Sequence, residues 1–167
     1  SSKVFNIHTE SVKGVHLIED EKALSWSNDR TLRLWNLRTG SCKVFEGHTK
    51  WIEEVHLIGK NHALSWSVDD TLRLWDLKNG SSKVFNSHLD WNDRVKGVHL
   101  IEDEKALSWS GATLRLWDLK SGSSKVILDI KESQASINDL KPIGNNKMIS
   151  WLSDGRIYVF DIKDYSS

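Results

Sequence analysis

The chain has 167 residues, in which 23 Lys plus Arg balance 23 Asp plus Glu for a formal net charge of zero. That length suits one domain with a sizeable core, and the balance argues against nucleic acid or an anionic membrane as partner, since both are bound through clustered positive charge. A single cysteine, Cys42, cannot form an internal disulfide, which fits a reducing compartment such as the cytoplasm; no apolar run is long enough to span a bilayer, and the start at Ser1 shows no signal-peptide pattern.

Taken in chain order, the first unit offers strands over 12–18, 23–27 and 31–37 and a short fourth over 43–45. Thr31-Leu32-Arg33-Leu34-Trp35-Asn36-Leu37 alternates polar and apolar residues with the period of a half-buried strand. Turn signals flank it, Asn28-Asp29-Arg30 before and Arg38-Thr39-Gly40-Ser41 after. A related copy runs from Ile52 to Ser67, with Val55-His56-Leu57-Ile58 and Ala63-Leu64-Ser65-Trp66-Ser67. The stretch from Val12 to Ser27 then returns unchanged as Val95 to Ser110. A diverged fourth copy runs from Ile137 to Ser153 and ends Met148-Ile149-Ser150-Trp151-Leu152-Ser153.

The nine tryptophans follow this period. Trp26, Trp66, Trp109 and Trp151 form one ladder, spaced by 40, 43 and 42 residues, and Trp35, Trp75, Trp117 and Phe160 form another. Each unit predicts a small antiparallel sheet that cannot bury both faces alone and must be covered by stacked neighbours. The expected fold is therefore all-β: one domain over 1–167, with units at about 12–46, 52–86, 95–128 and 137–162.

Leu-Arg-Leu-Trp-Asp at 72–76 and 114–118, with Leu-Arg-Leu-Trp-Asn at 32–36, resembles the signature of WD-repeat β-propellers. Gly47-His48 is similar to that family's Gly-His pair, and Ile7-His8 and Ser87-His88 keep the histidine without the glycine. Asp29, Asp69 (or Asp70) and Asp154 fall in the turn between the second and third strands; the third unit, Ser110-Gly111-Ala112-Thr113, is one residue shorter there and lacks the acid. The near-identical copies resemble the highly repetitive propellers found in bacteria and cyanobacteria.

The resemblance implies four four-stranded propeller blades, with Ser1–Phe5 acting as outer strand of the last blade, in its own or a partner chain. It also implies structural hydrogen-bond chains Trp35–Ser25–His8–Asp29 and Trp75–Ser65–His48–Asp69, in which either serine of each Ser-Trp-Ser pair could take part. Such Ser, His and Asp sets look like hydrolytic triads. A catalytic constellation occurs once per site, whereas this one recurs with the blade period, so it reads as a means of satisfying buried polar groups. His16, His56 and His99 are likewise periodic; they read as polar strand residues facing a neighbouring blade or water rather than as metal ligands. The ladder of Trp26, Trp66, Trp109 and Trp151 occupies a place usually small in the family and reads as packing between blades. No catalytic, cofactor or metal site is expected, and enzymatic function is disfavoured.

WD-repeat blades turn the chain by roughly 45 to 50 degrees each, so four trace about half a circle. Two copies joined as a symmetric pair would make an eight-bladed ring; a single-chain four-bladed ring and a fragment of a longer propeller are the alternatives. The two-chain ring is the favoured expectation. The resemblance places partner binding on the narrow face, where the loops entering each blade differ between units. Candidate residues there are Glu10, Lys50, Trp51, Trp91 and Arg94, since loop aromatics beside charges are the composition of a protein-binding hot spot. The expected function is a protein-interaction scaffold, with a second copy and a protein on the narrow loop face as partners. The alternative is a structural or engineered piece whose main activity is self-assembly.

Overall fold

A computed structural model describes residues 4–5, 7–86, 94–102, 104–144 and 146–165. The chain divides into two compact units, Ser1–Asn86 and Ser87–Ser167. Each unit holds two sheets.

In the first unit, β1 (Val12–Glu19), β2 (Lys22–Ser27), β3 (Leu32–Asn36) and β4 (Cys42–Phe45) form one antiparallel sheet in sequential order. A second follows as β5 (Ile52–Ile58), β6 (His62–Ser67), β7 (Thr71–Asp76) and β8 (Ser82–Asn86). The strands fall within a residue or two of their expected limits, because period-two alternation and turn residues specify both the extended segments and the reversals. The acid of the Trp-Asp signature builds one of those reversals. Asp76 Oδ1 accepts the backbone N–H groups of Lys78 and Asn79, and Gly80 completes the turn with φ of 95°, a conformation that favours glycine. In the first sheet Asn36 Oδ1 does the same for Arg38 and Thr39, ahead of Gly40.

The second unit repeats the pattern with β9 (Gly97–Glu102), β10 (Lys105–Trp109), β11 (Thr113–Asp118) and β12 (Ser124–Asp129). Its other sheet has three strands, β13 (Ile137–Pro142), β14 (Lys147–Leu152) and β15 (Ile157–Asp161), closed by a 3₁₀ turn over Ile162–Tyr165. This sheet's own unit supplies three strands, and the fourth is expected from Ser1–Phe5. Of the segment expected to supply the missing strand, Ser1–Phe5, only Val4 and Phe5 are described, and neither belongs to a strand. No helix among the described residues is long and apolar enough to cross a membrane.

Within each unit the core lies between the two sheets. In the first, Leu24, Trp26, Leu32 and Phe45 pack against Ile52, Val55, Ala63, Trp75 and Leu77. In the second, Leu107, Trp109, Leu114 and Leu116 pack against Ile137, Leu140, Met148 and Leu152. Trp26 and Trp109 of the second strands are thus packing residues. His16 also faces the neighbouring sheet: its Nε2–H donates to the Val55 carbonyl at 2.7 Å, and its ring lies 4.9 Å from that of Trp26.

These tryptophans need room on the adjacent strand. Trp26 is opposite Gly14 and Trp109 opposite Gly97. A Cβ at Gly14 would lie 2.1 Å from Trp26 Cζ2, and one at Gly97 would lie 2.3 Å from Trp109 Cζ2. Gly14→Ala should therefore cost about 1–3 kcal/mol through overpacking, measured by urea unfolding. Adding Trp26→Phe should return part of that loss. Equal costs in the two backgrounds would show that the ring does not dictate the glycine.

Candidate binding groove and the loop network that supports it

Two polar chains anchor the loops entering the first two sheets. In the first, the Trp35 indole N–H donates to Ser25 Oγ at 2.8 Å, Ser25 O–H donates to His8 Nε2 at 2.7 Å, and His8 Nδ1–H donates to Asp29 Oδ2 at 2.7 Å. The second repeats it: Trp75 to Ser65 at 2.8 Å, Ser65 to His48 at 2.7 Å, and His48 to Asp69 at 2.9 Å. This histidine tautomer is the one that lets each member both give and accept where it can. The first serine of each Ser-Trp-Ser pair carries the chain. The second ties down the loop, with Ser27 Oγ donating to the Glu10 carbonyl at 3.3 Å and Ser67 Oγ to the Lys50 carbonyl at 3.2 Å.

The terminal carboxylates are saturated. Asp69 Oδ2 also accepts the Thr49 N–H, while its Oδ1 accepts both the N–H and the hydroxyl of Thr71. Asp29 is served in the same way by Thr9 and Thr31. Burial pushes the Asp29 carboxyl upward, but hydrogen bonds from Thr31, His8 and the backbone N–H groups of Thr31 and Thr9 outweigh it and hold the pKa at about 2. Asp69 is also held well below the usual carboxylate range, its burial opposed chiefly by hydrogen bonds from His48 and Thr71.

The geometry shares its hydrogen-bond order with a hydrolytic triad but not its access. Ser25 and Ser65 are buried, and each Oγ already accepts an indole N–H. A nucleophile needs an open lone pair and a path for substrate, and neither serine has one. In the third sheet Trp117 donates to Ser108 at 2.9 Å, but His88 lies outside the described residues. Without an acid in its shortened turn, Ser110 Oγ accepts the N–H groups of Ala112 and Thr113 instead. In the fourth, Asp154 pairs with Arg156 at 2.7 Å, and the third-strand aromatic is Phe160, which has no N–H to give. Among the described residues no three His, Cys, Asp or Glu side chains are placed to hold a metal ion.

Above these chains, in the first unit, lies an open groove of about 500 Å³ lined by Thr9, Glu10, Asn28, Asp29, Arg30, Thr49, Lys50, Trp51 and Val68. It brings together three of the residues expected to bind a partner, Glu10, Lys50 and Trp51. Trp51 is 57% exposed, so it does not tuck over a blade edge. Of the other two candidates, Arg94 is exposed in the second unit and Trp91 lies outside the described residues. The groove walls are held by backbone bonds: Val68 N–H to the Trp51 carbonyl and Asn28 N–H to the Ser11 carbonyl, both 3.0 Å.

Sequence reasoning missed Asn28 and Arg30. Their signal was a difference between repeats, since Asn28 stands where the second unit has Val68, and Arg30 where it has Asp70. Arg30 and Asp70 both adopt left-handed backbone, with φ of 71° and 64°, and Gly155 fills that place in the fourth unit.

Removing Ser65 strands two buried groups at once, the Trp75 N–H and His48 Nε2. Ser65→Ala should cost about 2–4 kcal/mol, whereas the exposed turn change Ser121→Ala should stay within about 0.5 kcal/mol in denaturant melts. The carboxylates also set an acid limit. Because their folded pKa values lie below the unfolded value, their stabilisation is complete above about pH 4 and is lost as pH falls toward about 2. For Asp29 this amounts to on the order of 2 kcal/mol. Asp29→Asn should be less stable at neutral pH and lose less stability between about pH 5 and 2; an unchanged acid slope would contradict this assignment.

No family model and no curated protein matches the chain. Solved structures do. The chain is similar to the computationally designed Ika4 protein at 18% identity and a TM-score of 0.72, over 95% of each chain. It is similar to the computationally designed Ika8 protein at 19% identity and a TM-score of 0.72, over 93% of this chain and 47% of that one. It is also similar to the WD40 β-propeller domain of Doa1, at 24% identity and a TM-score of 0.70, over 94% of this chain and 53% of that one. The chain thus spans about half the length of the last two. With its repeated antiparallel sheets, the chain has the β-propeller fold.

Proposed function

We propose that the chain is a non-enzymatic interaction scaffold that assembles as two copies into an eight-bladed propeller, with a protein partner bound on the loop face. The observation that carries this reading is a mismatch between equivalent surfaces. In the second sheet the first strand buries Ile52 and Val55 completely, but the equivalent Val12 and Val15 of the first sheet are 48% and 59% exposed, and Leu17 is 63% exposed. At the other end, Leu114 and Leu116 of the third sheet are 0% and 6% exposed, whereas the equivalent Ile157 and Val159 of the fourth are 64% and 58% exposed.

Each bare face is of the type that its counterpart covers elsewhere in the repeat. The β3 face of one sheet docks on the first strand of the next, so the end face of one copy fits the starting face of another. Covering these five side chains is worth on the order of 5 kcal/mol per interface, and symmetry gives a pair two such interfaces.

The unpaired edge of β15 supports the same arrangement. Phe45 ends the outer strand of the first sheet and lies 6.0 Å from Trp75 of the second; Phe5 lies 5.4 Å from Trp35 in the matching relation. Phe5 is therefore already seated as the outer strand of a preceding blade would be. By the register that sets Phe45 opposite Leu32 and Phe85 opposite Leu72, Phe5 would pair with Ile157 and Val4 with Tyr158. The spans of about half of Ika8 and half of the Doa1 domain agree with a four-blade chain serving as half of a larger ring.

Native mass spectrometry should find twice the 19.1 kDa chain mass. Val159→Lys, by placing a charge on the end face, should shift the population toward single chains without losing strand content by circular dichroism. A single-chain mass for the unaltered protein at micromolar concentration would refute the pairing.

A further inference from the structure

The groove of the first unit indicates what kind of partner it takes. We infer that it binds an extended peptide in which an acidic side chain stands close to a large apolar one. The acid meets Arg30 and Lys50, the apolar group lies on Trp51 and Val68, and a peptide N–H reaches Asn28. This inference rests on the scaffold reading and specifies its partner.

Four observations converge on it. Asn28 Oδ1 is buried and has no hydrogen-bond partner. The blade does not need an amide at this place, since the second unit carries Val68 there; an unpaired buried acceptor is a standing cost that a ligand donor would relieve. Second, the groove's two carboxylates equal its two cations in number, but one of them, Asp29, faces Arg33 at 3.7 Å behind the groove. Asp29 is committed to His8, Thr9 and Thr31, which leaves Glu10 alone against Arg30 and Lys50, and neither cation takes part in an ion pair among the described residues.

Third, Trp51 stands exposed at the rim while Trp26, Trp35, Trp66 and Trp75 of the same unit are buried. A rigid aromatic with an open face beside an apolar side chain suits a ligand's aliphatic or aromatic group. Fourth, the pinned carbonyls of Glu10 and Lys50 fix the walls in advance, which lowers the entropy lost on binding. Glu10 in the wall disfavours a phosphate backbone, which needs several cations in a row.

The other loop-side groove gives a contrast. It is lined by Asp129, Lys131, Glu132, Ser133, Arg156 and Tyr158, among others, and its cations are already matched, Arg156 with Asp154 and Ser133 and Lys131 with Asp129. It offers a ligand no unmet charge of comparable kind.

The test is selection of a displayed library of random twelve-residue peptides on the intact chain and, in parallel, on Trp51→Ala and Arg30→Asp variants. The intact chain should enrich sequences with Asp or Glu within about three residues of a large apolar side chain. A synthetic peptide of the most enriched sequence should bind each variant at least about tenfold more weakly, and binding should weaken with salt.

Asn28→Val separates ligand binding from structure. It should weaken the peptide about fivefold while raising Tm by about 2–4 °C, because the orphaned acceptor is gone; a lowered Tm would mean that Asn28 serves the fold. Enrichment of basic sequences, or equal binding to Trp51→Ala, would overturn the groove assignment and leave the scaffold reading standing. No enrichment on any bait would remove both.

Discussion

Each sheet of this protein carries large apolar side chains on both faces, so no sheet can be folded and solvated alone. Leu24, Trp26 and Leu32 on one sheet become buried only because Ile52 and Val55 of the next lie against them. The hydrophobic gain from such a contact is roughly proportional to the area removed from water, and a sheet with one neighbour collects half of it. The repeat supplies neighbours of matching shape, and Gly14 and Gly97 make room for the indoles that fill the gap, while Val12, Val15, Leu17, Ile157 and Val159 stay exposed.

The same stacking creates a rigid platform for variable loops. In the first two sheets the Trp–Ser–His–Asp chains run from the interior to the loop edge. The serines in them are buried, and each accepts an indole N–H. The arrangement has a mechanical consequence. With Ser27 and Ser67 holding the loop backbones, side chains such as Glu10, Lys50 and Trp51 can differ between units without disturbing the fold, and a groove can be specialised by a few substitutions.

Much of this was legible in the residues, and the reason is periodicity. Four in-phase copies of Ser-Trp and three of Leu-Arg-Leu-Trp specified the strands and turns, and the repeat of His8 and His48 with Asp29 and Asp69 located the polar chains. Two things were not legible. Ser25 and Ser27 lie on the same face of β2, and the choice between them depends on which hydroxyl comes within reach of the Trp35 indole and the His8 ring once strands and loop are in place. Arg30 and Asn28 look like ordinary turn residues until the neighbouring loop, about 20 residues further along, is brought opposite them. The fourth sheet's missing strand was anticipated from the offset between repeat and blade, yet where that strand comes from is a question of assembly.

That question can be put directly to the edge of β15. In a Cys42→Ser background, cysteines are placed at Val4 and Tyr158, which face each other if the outer strand of the last blade is supplied by an N-terminus. Mild oxidation followed by denaturing electrophoresis under non-reducing conditions then reports the source of that strand. Pairing between copies predicts a disulfide-linked two-chain product; a bond formed only within single chains, or no bond, would contradict it.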